Sequence, residues 1–221
     1  MLNCDLHIHT NHSRDGESSV EEILLQAEKV GLDAIAITDH DTMDGAWYAA
    51  KIKSRVLVIP GIEVSTAQGH LLVLGGTSVI PPSLDVIETI RLANAQGAVT
   101  ILPHPFHIWR HAVGLKVKSA LEAVDAIEVF NSRYIVGQAN RKAARGARRV
   151  HKPAVGGSDA HHARYVGFGR TTIDAERTVE SILEAIRAGK TVPGGRMTPL
   201  RTYTRQSIKS TWRRVRRHVH R

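Results

Sequence analysis

Apolar residues alternate with polar ones at two periods along this chain, and the two periods take turns. Leu6 and Ile8 interleave with Asp5, His7 and His9 at a strand's period of two, which sends the two imidazoles and the carboxylate to one face and the aliphatics to the other. Helical spacing follows: Ile23, Leu24, Ala27 and Val30 recur at three and four residues, Ser18 or Ser19 caps the start, Glu21 and Glu22 fill the first turn, and Gly31 stops the helix. Short apolar runs over 33–38, 56–59, 70–74, 98–102, 126–130 and 154–157 predict buried strands. Helical patterns near 44–53 and over 84–96, 137–150 and 179–188 separate them. Strands alternating with helices imply βαβ units, hence an α/β fold that is a barrel or an open sheet.

The polar residues that break these runs have a common place. Asp39 and His40, Glu63, His104, and Asp159 with His161 all fall at or just beyond the ends of predicted strands, where α/β folds gather ligand-binding groups. Each alone has an ordinary explanation as a loop, cap or surface residue. His104 is the hardest to dismiss, because Pro103 and Pro105 on either side cost backbone hydrogen bonds and fix one side chain. His7-x-His9 on one strand is a chelating pair for a transition metal, and Asp159-x-His161 repeats the spacing.

Composition narrows the chemistry. With 221 residues and 42% hydrophobic content, one domain with a large core is expected. No apolar run reaches the ~18–20 residues of a membrane span, and the start is unlike a signal peptide, so a cytoplasmic protein without a transmembrane segment is expected. Cys4 is the only cysteine, which excludes an internal disulfide and a cysteine-rich zinc site. The formal charge of +9 is concentrated at the end: residues 1–184 hold 19 basic and 21 acidic side chains, whereas 185–221 hold eleven basic and none acidic. Residues 1–196 are therefore read as the folded domain and 197–221 as a basic tail. Trp212, Val215 and Val219 at helical spacing among its arginines make the tail a candidate for nucleic-acid or anionic-membrane binding, against docking on the domain or staying disordered.

Five motifs together resemble the PHP (polymerase and histidinol phosphatase) family: Asp5-Leu-His7-Ile-His9-Thr with Ser13-x-Asp15-Gly16, Ile37-Thr-Asp39-His40-Asp41, Gly61-Ile-Glu63, His104-Pro105, and Gly157-Ser-Asp159-Ala-His161. The resemblance runs from Asp5 to about Arg196 and implies a distorted (β/α)7 barrel that hydrolyses phosphate esters with two or three divalent metal ions, Zn, Mn or Fe. It implies that His7, His9, Glu63 and Asp159 hold one metal. Glu63 would bridge to a second held by His70 and His104, and Asp15, His40 and His161 would hold a third. Asp5 and Asp39 would orient histidines from behind, and Glu63, Asp159 and His161 would be the catalytic core. A metal-bound hydroxide would attack phosphorus, since clustered cations acidify water and neutralise phosphate oxygens.

Arg133 or Arg110 would clamp the phosphate with a planar fork of donors, and His162, His107 or water would supply the leaving group's proton. Only residues 107–123 separate the His-Pro strand from the next, too little for a lid. The expected substrate is thus a nucleoside monophosphate, a short oligonucleotide or another small phosphorylated metabolite. Histidinol phosphate and a non-phosphate ester are the alternatives. A metal-bound domain without catalysis would have gaps among these ligands, and here every matched position holds a competent residue.

Overall fold

The computed structural model describes residues 1–106, 112–133 and 137–199. Among them are nine strands in one sheet: β1 (Leu2–Ile8), β2 (Ala34–Ile37), β3 (Leu57–Ser65), β4 (His70–Leu74), β5 (Val99–Leu102), β6 (Ala126–Asn131), β7 (Ala154–Gly157), β8 (Gly169–Ile173) and β9 (Thr191–Gly195). Their order is β7-β6-β5-β4-β3-β2-β1-β8-β9. The sheet curls until its ends meet. Ile8 bridges Ala160 beyond β7, the Ser158 amide donates to Asp5, and the Gly156 amide donates to Thr171 on β8. The result is a nearly closed barrel, as the resemblance implies.

One apolar cluster takes residues from β1 to β8, among them Leu6, Ala36, Ile59, Leu72, Ile101 and Val155, so it fills the barrel's interior. Helix α6 (Val179–Arg187) joins the same cluster through Ile182, Leu183 and Ile186 and plugs the end opposite the site. Two outer clusters bind the remaining helices. One packs α1 (Val20–Lys29) and α2 (Asp44–Ala49) on β1 and β2; the other packs α3 (Val86–Ala95), α4 (Ala120–Ala123) and α5 (Gln138–Arg149) on β3 to β6. Ser19 caps α1 in a reciprocal capping box with Glu22, and Gly31 ends it at φ +72°.

Three features depart from plain βαβ alternation. β4 runs antiparallel to both β3 and β5, because residues 66–69 allow only a tight hairpin, and a parallel return needs a crossover of a dozen residues or more. The pairing of β1 with β2 slips by one residue between Asp5 and Ile8, and β6 slips likewise against β7 between Glu128 and Phe130. β8 and β9, which the apolar pattern does not pick out, extend the sheet as an antiparallel pair. The helix expected near 44–53 ends at Ala49. Met197 and Thr198, assigned to the tail, lie against the barrel, where Thr198 bonds Ser132 and Met197 accepts from Asn140. The tail from residue 200 on, with all of its arginines and Trp212, Val215 and Val219, lies outside the described residues, as do Arg110 and His107.

Candidate metal centre

The six parallel strands of the barrel end at one rim, and there the polar residues converge. Glu63, projecting inward from β3, is 1% exposed and sits at their centre. Its Oε2 lies 3.2 Å from His7 Nε2, 3.1 Å from His9 Nε2 and 3.6 Å from His40 Nδ1. Its Oε1 lies 3.0 Å from His70 Nδ1 and 3.2 Å from His104 Nε2. On the far side of His7 and His9, Asp159 Oδ1 lies 3.9 and 3.7 Å from the two Nε2 atoms. Asp15 Oδ2 closes the group, 2.9 Å from His161 Nε2 and 3.5 Å from His40 Nε2.

Local backbone geometry serves this convergence. His104 and Asp159 hold φ of +31° and +53°, and Asp41 beside His40 holds +58°. Residues other than glycine occupy that region at a cost of about 1–3 kcal/mol each, a strain that concentrates at functional sites. The slip in β1 matters equally. Strict alternation from Cys4 and Leu6, which face the interior cluster, would turn His7 outward; the extra residue turns it in, while Ile8 joins the outer cluster with α1. The expectation that Leu6 and Ile8 share a face therefore fails.

Electrostatics at the centre are those of buried, coupled charges. Burial alone would raise the Glu63 carboxyl, but His40, His7, His70 and a hydrogen bond from His104 hold it well below the usual carboxylate range. Burial would lower His7, yet Glu63, Asp159 and Glu128 raise it well above an ordinary histidine. His40 is raised in the same way by Glu63 and Asp15. In this arrangement protons supply the positive charge that the carboxylates demand. Burial with the Arg133 guanidinium pushes His161 down to about 3, and burial lowers His104.

The donor set fits divalent cations. Three groupings have ligand atoms close enough to share an ion: His9, Asp15, His40 and His161; His7, His9 and Glu63; and His40, Glu63 and His70. Among the described residues, buried ring nitrogens of His9, His40 and His104 have no hydrogen-bond partner, although Glu63 is nearby. One carboxylate cannot satisfy five imidazoles by hydrogen bonds, and cations placed between them would. These groupings overlap the sets implied by the resemblance with three differences. Asp159 is absent from the group of His7, His9 and Glu63, His9 joins the Asp15 group as well, and His40 rather than His104 completes the group with His70.

Several residues take other places. Asp5 touches no imidazole. Its carboxylate accepts from the amides of His7, Ser158 and Gly167, so it ties β1 to the strand that carries Asp159. Asp39 accepts from the amide and hydroxyl of Thr10 and fixes the loop after β1. Arg133 reaches Asp159 Oδ1 at 3.1 Å and the His161 ring at 2.7 Å, at the mouth of the site. His162 accepts from the Arg164 amide and lies against Tyr165, capping a short 3-10 turn.

Sequence reasoning missed Glu128 and Asn131. Glu128 Oε1 lies 3.0 Å from His7 Nδ1, and its Oε2 accepts from the His104 amide at 2.9 Å and from Asn131 Nδ2 at 2.8 Å. Asn131 Nδ2 also reaches Asp159 at 3.2 Å. A lone glutamate inside an apolar strand was the available signal. The two residues stand three apart, which strict alternation would send to opposite faces; the slip in β6 brings them to one.

Comparisons with known proteins agree with this geometry. A family model described as PHP-associated matches residues 137–191. An uncharacterized protein of Methanocaldococcus jannaschii is 35% identical over 151 residues, covering 63% of this chain and 87% of that protein. The phosphoribosyl 1,2-cyclic phosphate 1,2-diphosphodiesterase of Eggerthella lenta is 39% identical over 79 residues, covering 32% of this chain and 30% of the enzyme. Among solved structures, a two-domain protein from Bacteroides vulgatus containing a predicted PHP-like metal-dependent phosphoesterase superposes with a TM-score of 0.67 at 22% identity, covering 88% of this chain and 65% of that one. By its motifs, barrel and relatives, this chain belongs to the PHP family.

Proposed function

We propose that this chain hydrolyses a small phosphate monoester or diester at the Glu63 cluster. One observation carries the reading: five imidazoles crowd the two oxygens of a single buried carboxylate. His7, His9, Glu63 and Asp159 would hold one cation, Glu63 with His70 and His104 a second, and Asp15, His40 and His161 a third. Zn, Mn and Fe all suit these N and O donors. When bound there, the cations acidify water and neutralise phosphate oxygens.

The chain's own residues do the rest. Glu63, with one oxygen towards each of two histidine sets, would be shared between the residues that hold the first cation and those that hold the second. Glu128 orients His7 from behind, and Asn131 orients Asp159. Arg133, held between Asp159 and His161, presents its guanidinium edge at the mouth, where it would align the phosphate anion. A water oxygen then bonds phosphorus as the ester P–O bond breaks, and the alcohol leaves with the proton that water gave up. Nucleoside monophosphates, short oligonucleotides and small phosphorylated metabolites remain the substrate classes of this reading. The match to a cyclic phosphate diesterase from Eggerthella lenta supports phosphate chemistry over cleavage of a carboxylic ester.

Glu63→Gln should bring hydrolysis of AMP, a 5′-phosphorylated dinucleotide and histidinol phosphate to background and lower metal content, with the circular dichroism spectrum unchanged. Activity that survives both this substitution and chelation would overturn the proposal. Faster turnover of an aryl carboxylic ester than of any phosphate would transfer it to the alternative chemistry.

A further inference from the structure

Residues 1–184 are slightly acidic as a whole, yet six of their nineteen basic side chains lie between Arg141 and Lys152, where there is no acid. That stretch is α5 and the turn after it. At 100° per residue, Arg141, Arg145 and Arg148 fall within about 60° of one another, with Lys142 and Arg149 at the edge of an arc of about 120°. All five are exposed. The opposite face, with Asn140, Ala143 and Ala147, is buried on β6.

The helix stands beside the metal centre. Asn140 in its first turn bonds the backbone of Asn131, whose side chain holds Glu128 and Asp159. Phe106, two residues after His104, packs against Gly146 and lies under the Lys142 ammonium at 4.8 Å. The helix therefore starts beside Asn131, and its basic face, across the helix from Asn140, extends for about 12 Å, the rise from Arg141 to Arg149.

Uncompensated cations repel one another and weaken the helix unless an anion meets them. The geometry points to the sugar-phosphate backbone of a single-stranded oligonucleotide, lying along α5 while its scissile phosphate sits at Glu63. This rests on the phosphoesterase reading above and selects one of its substrate classes. A span of about 12 Å matches roughly three phosphates at the ~3.4 Å spacing of a stacked strand. A membrane fits poorly, since the apolar face of α5 is spent on the barrel and no apolar stripe accompanies the charges.

The test is binding of a fluorescein-labelled, phosphorothioate-linked dT12 to the full metal-loaded chain, followed by anisotropy across salt concentrations. The triple variant Arg141→Gln/Arg145→Gln/Arg148→Gln keeps helix propensity and removes three cations. At about 0.7 per phosphate contact, its log-log salt slope should be shallower by about 2, so raising salt from 50 to 200 mM should cost the native chain about 20-fold more affinity than the variant. A control triple, Lys29→Gln/Lys51→Gln/Lys53→Gln, on the α1–α2 side of the barrel, should match the native chain. Arg145→Glu alone should weaken binding if the triple variant unfolds. Equal slopes in the native chain and the α5 triple, equal effects of both triples, or an α5 effect on anionic vesicles but not on dT12 would each overturn the inference. Hydrolysis of AMP together with α5-independent dT12 binding would refute this inference alone. Salt-dependent binding through α5 without any hydrolysis would refute the phosphoesterase reading instead.

Discussion

Glu128→Gln is the most discriminating single change at the metal centre, because it alters charge and hydrogen bonding without altering shape. The carboxylate has three partners: His7 Nδ1, the His104 amide and Asn131 Nδ2. All three approach as donors when His7 carries its proton on Nδ1, which leaves Nε2 to face Glu63 and a cation. An amide offers one acceptor oxygen. If that oxygen faces His7, the new NH2 meets the His104 N–H head-on. If it faces His104, the NH2 forces the His7 proton to Nε2 and closes that nitrogen to a metal.

Either orientation leaves a buried donor unmatched, at about 1–3 kcal/mol. Loss of a partner behind a ligating histidine costs about 10–100-fold in metal affinity, or about 1.4–2.7 kcal/mol. Competition against a fluorescent chelator would read the affinity, and urea unfolding of the metal-free protein would read the structural share separately. An affinity within twofold of the native chain would refute the reasoning. So would a loss of affinity accounted for entirely by unfolding of the metal-free variant.

Two further substitutions probe the frame of the site. In Gly157→Ala the new Cβ would stand 2.6 Å from His7 Cβ and 2.8 Å from Glu128 Oε1, closer than atoms tolerate, so the proposed hydrolysis and metal content should both fall; values equal to the native chain's would show that β7 shifts freely. Burial, with Asp33 and Asp5 nearby, pushes the Cys4 thiol up to about 12. Because the folded value lies above the unfolded one, this thiol's contribution to stability is full below about pH 8.5 and is lost as pH rises towards 12. Between pH 8 and pH 10 the native chain should therefore lose about 2 kcal/mol that Cys4→Ala does not lose, as read by urea unfolding at both values. An equal alkaline loss in both proteins would sink the assignment.

What the sequence made legible follows from periodicity. α1 and the apolar strands were readable because their residues are local and their pattern is clean. Gly31 and Ser19 are punctuation whose physics needs no tertiary context. The site's histidines and acids were readable because they interrupt apolar runs at strand ends, and Glu63 sits where period two sends it inward. Glu128 was hidden by the same rule. Its strand looks like uniform core, and the slip that pairs it with Asn131 depends on register with β7, which no local pattern encodes. The interior plug of α6 was equally hidden, since an amphipathic helix does not say which end of a barrel it will cover.

His70 shows how one topological detail decides a chemical role. Every other candidate ligand stands at or beyond the carboxyl end of a parallel strand, whereas His70 is the first residue of β4. In a barrel of uniformly parallel strands it would lie at the end plugged by α6, a full strand length from the others. The hairpin at residues 66–69 reverses β4, so its first residue lies at the rim where the parallel strands end, paired with Ser65 on β3. The segment from 75 to 85 then carries the chain back to that rim, where Ser83 and Leu84 bond Ser65 and Ala67, before α3 leads into β5. His70 thereby reaches Glu63 Oε1 from the side that the parallel strands leave open. Without the reversal, Oε1 would face His104 alone, and two histidines could not converge on that oxygen.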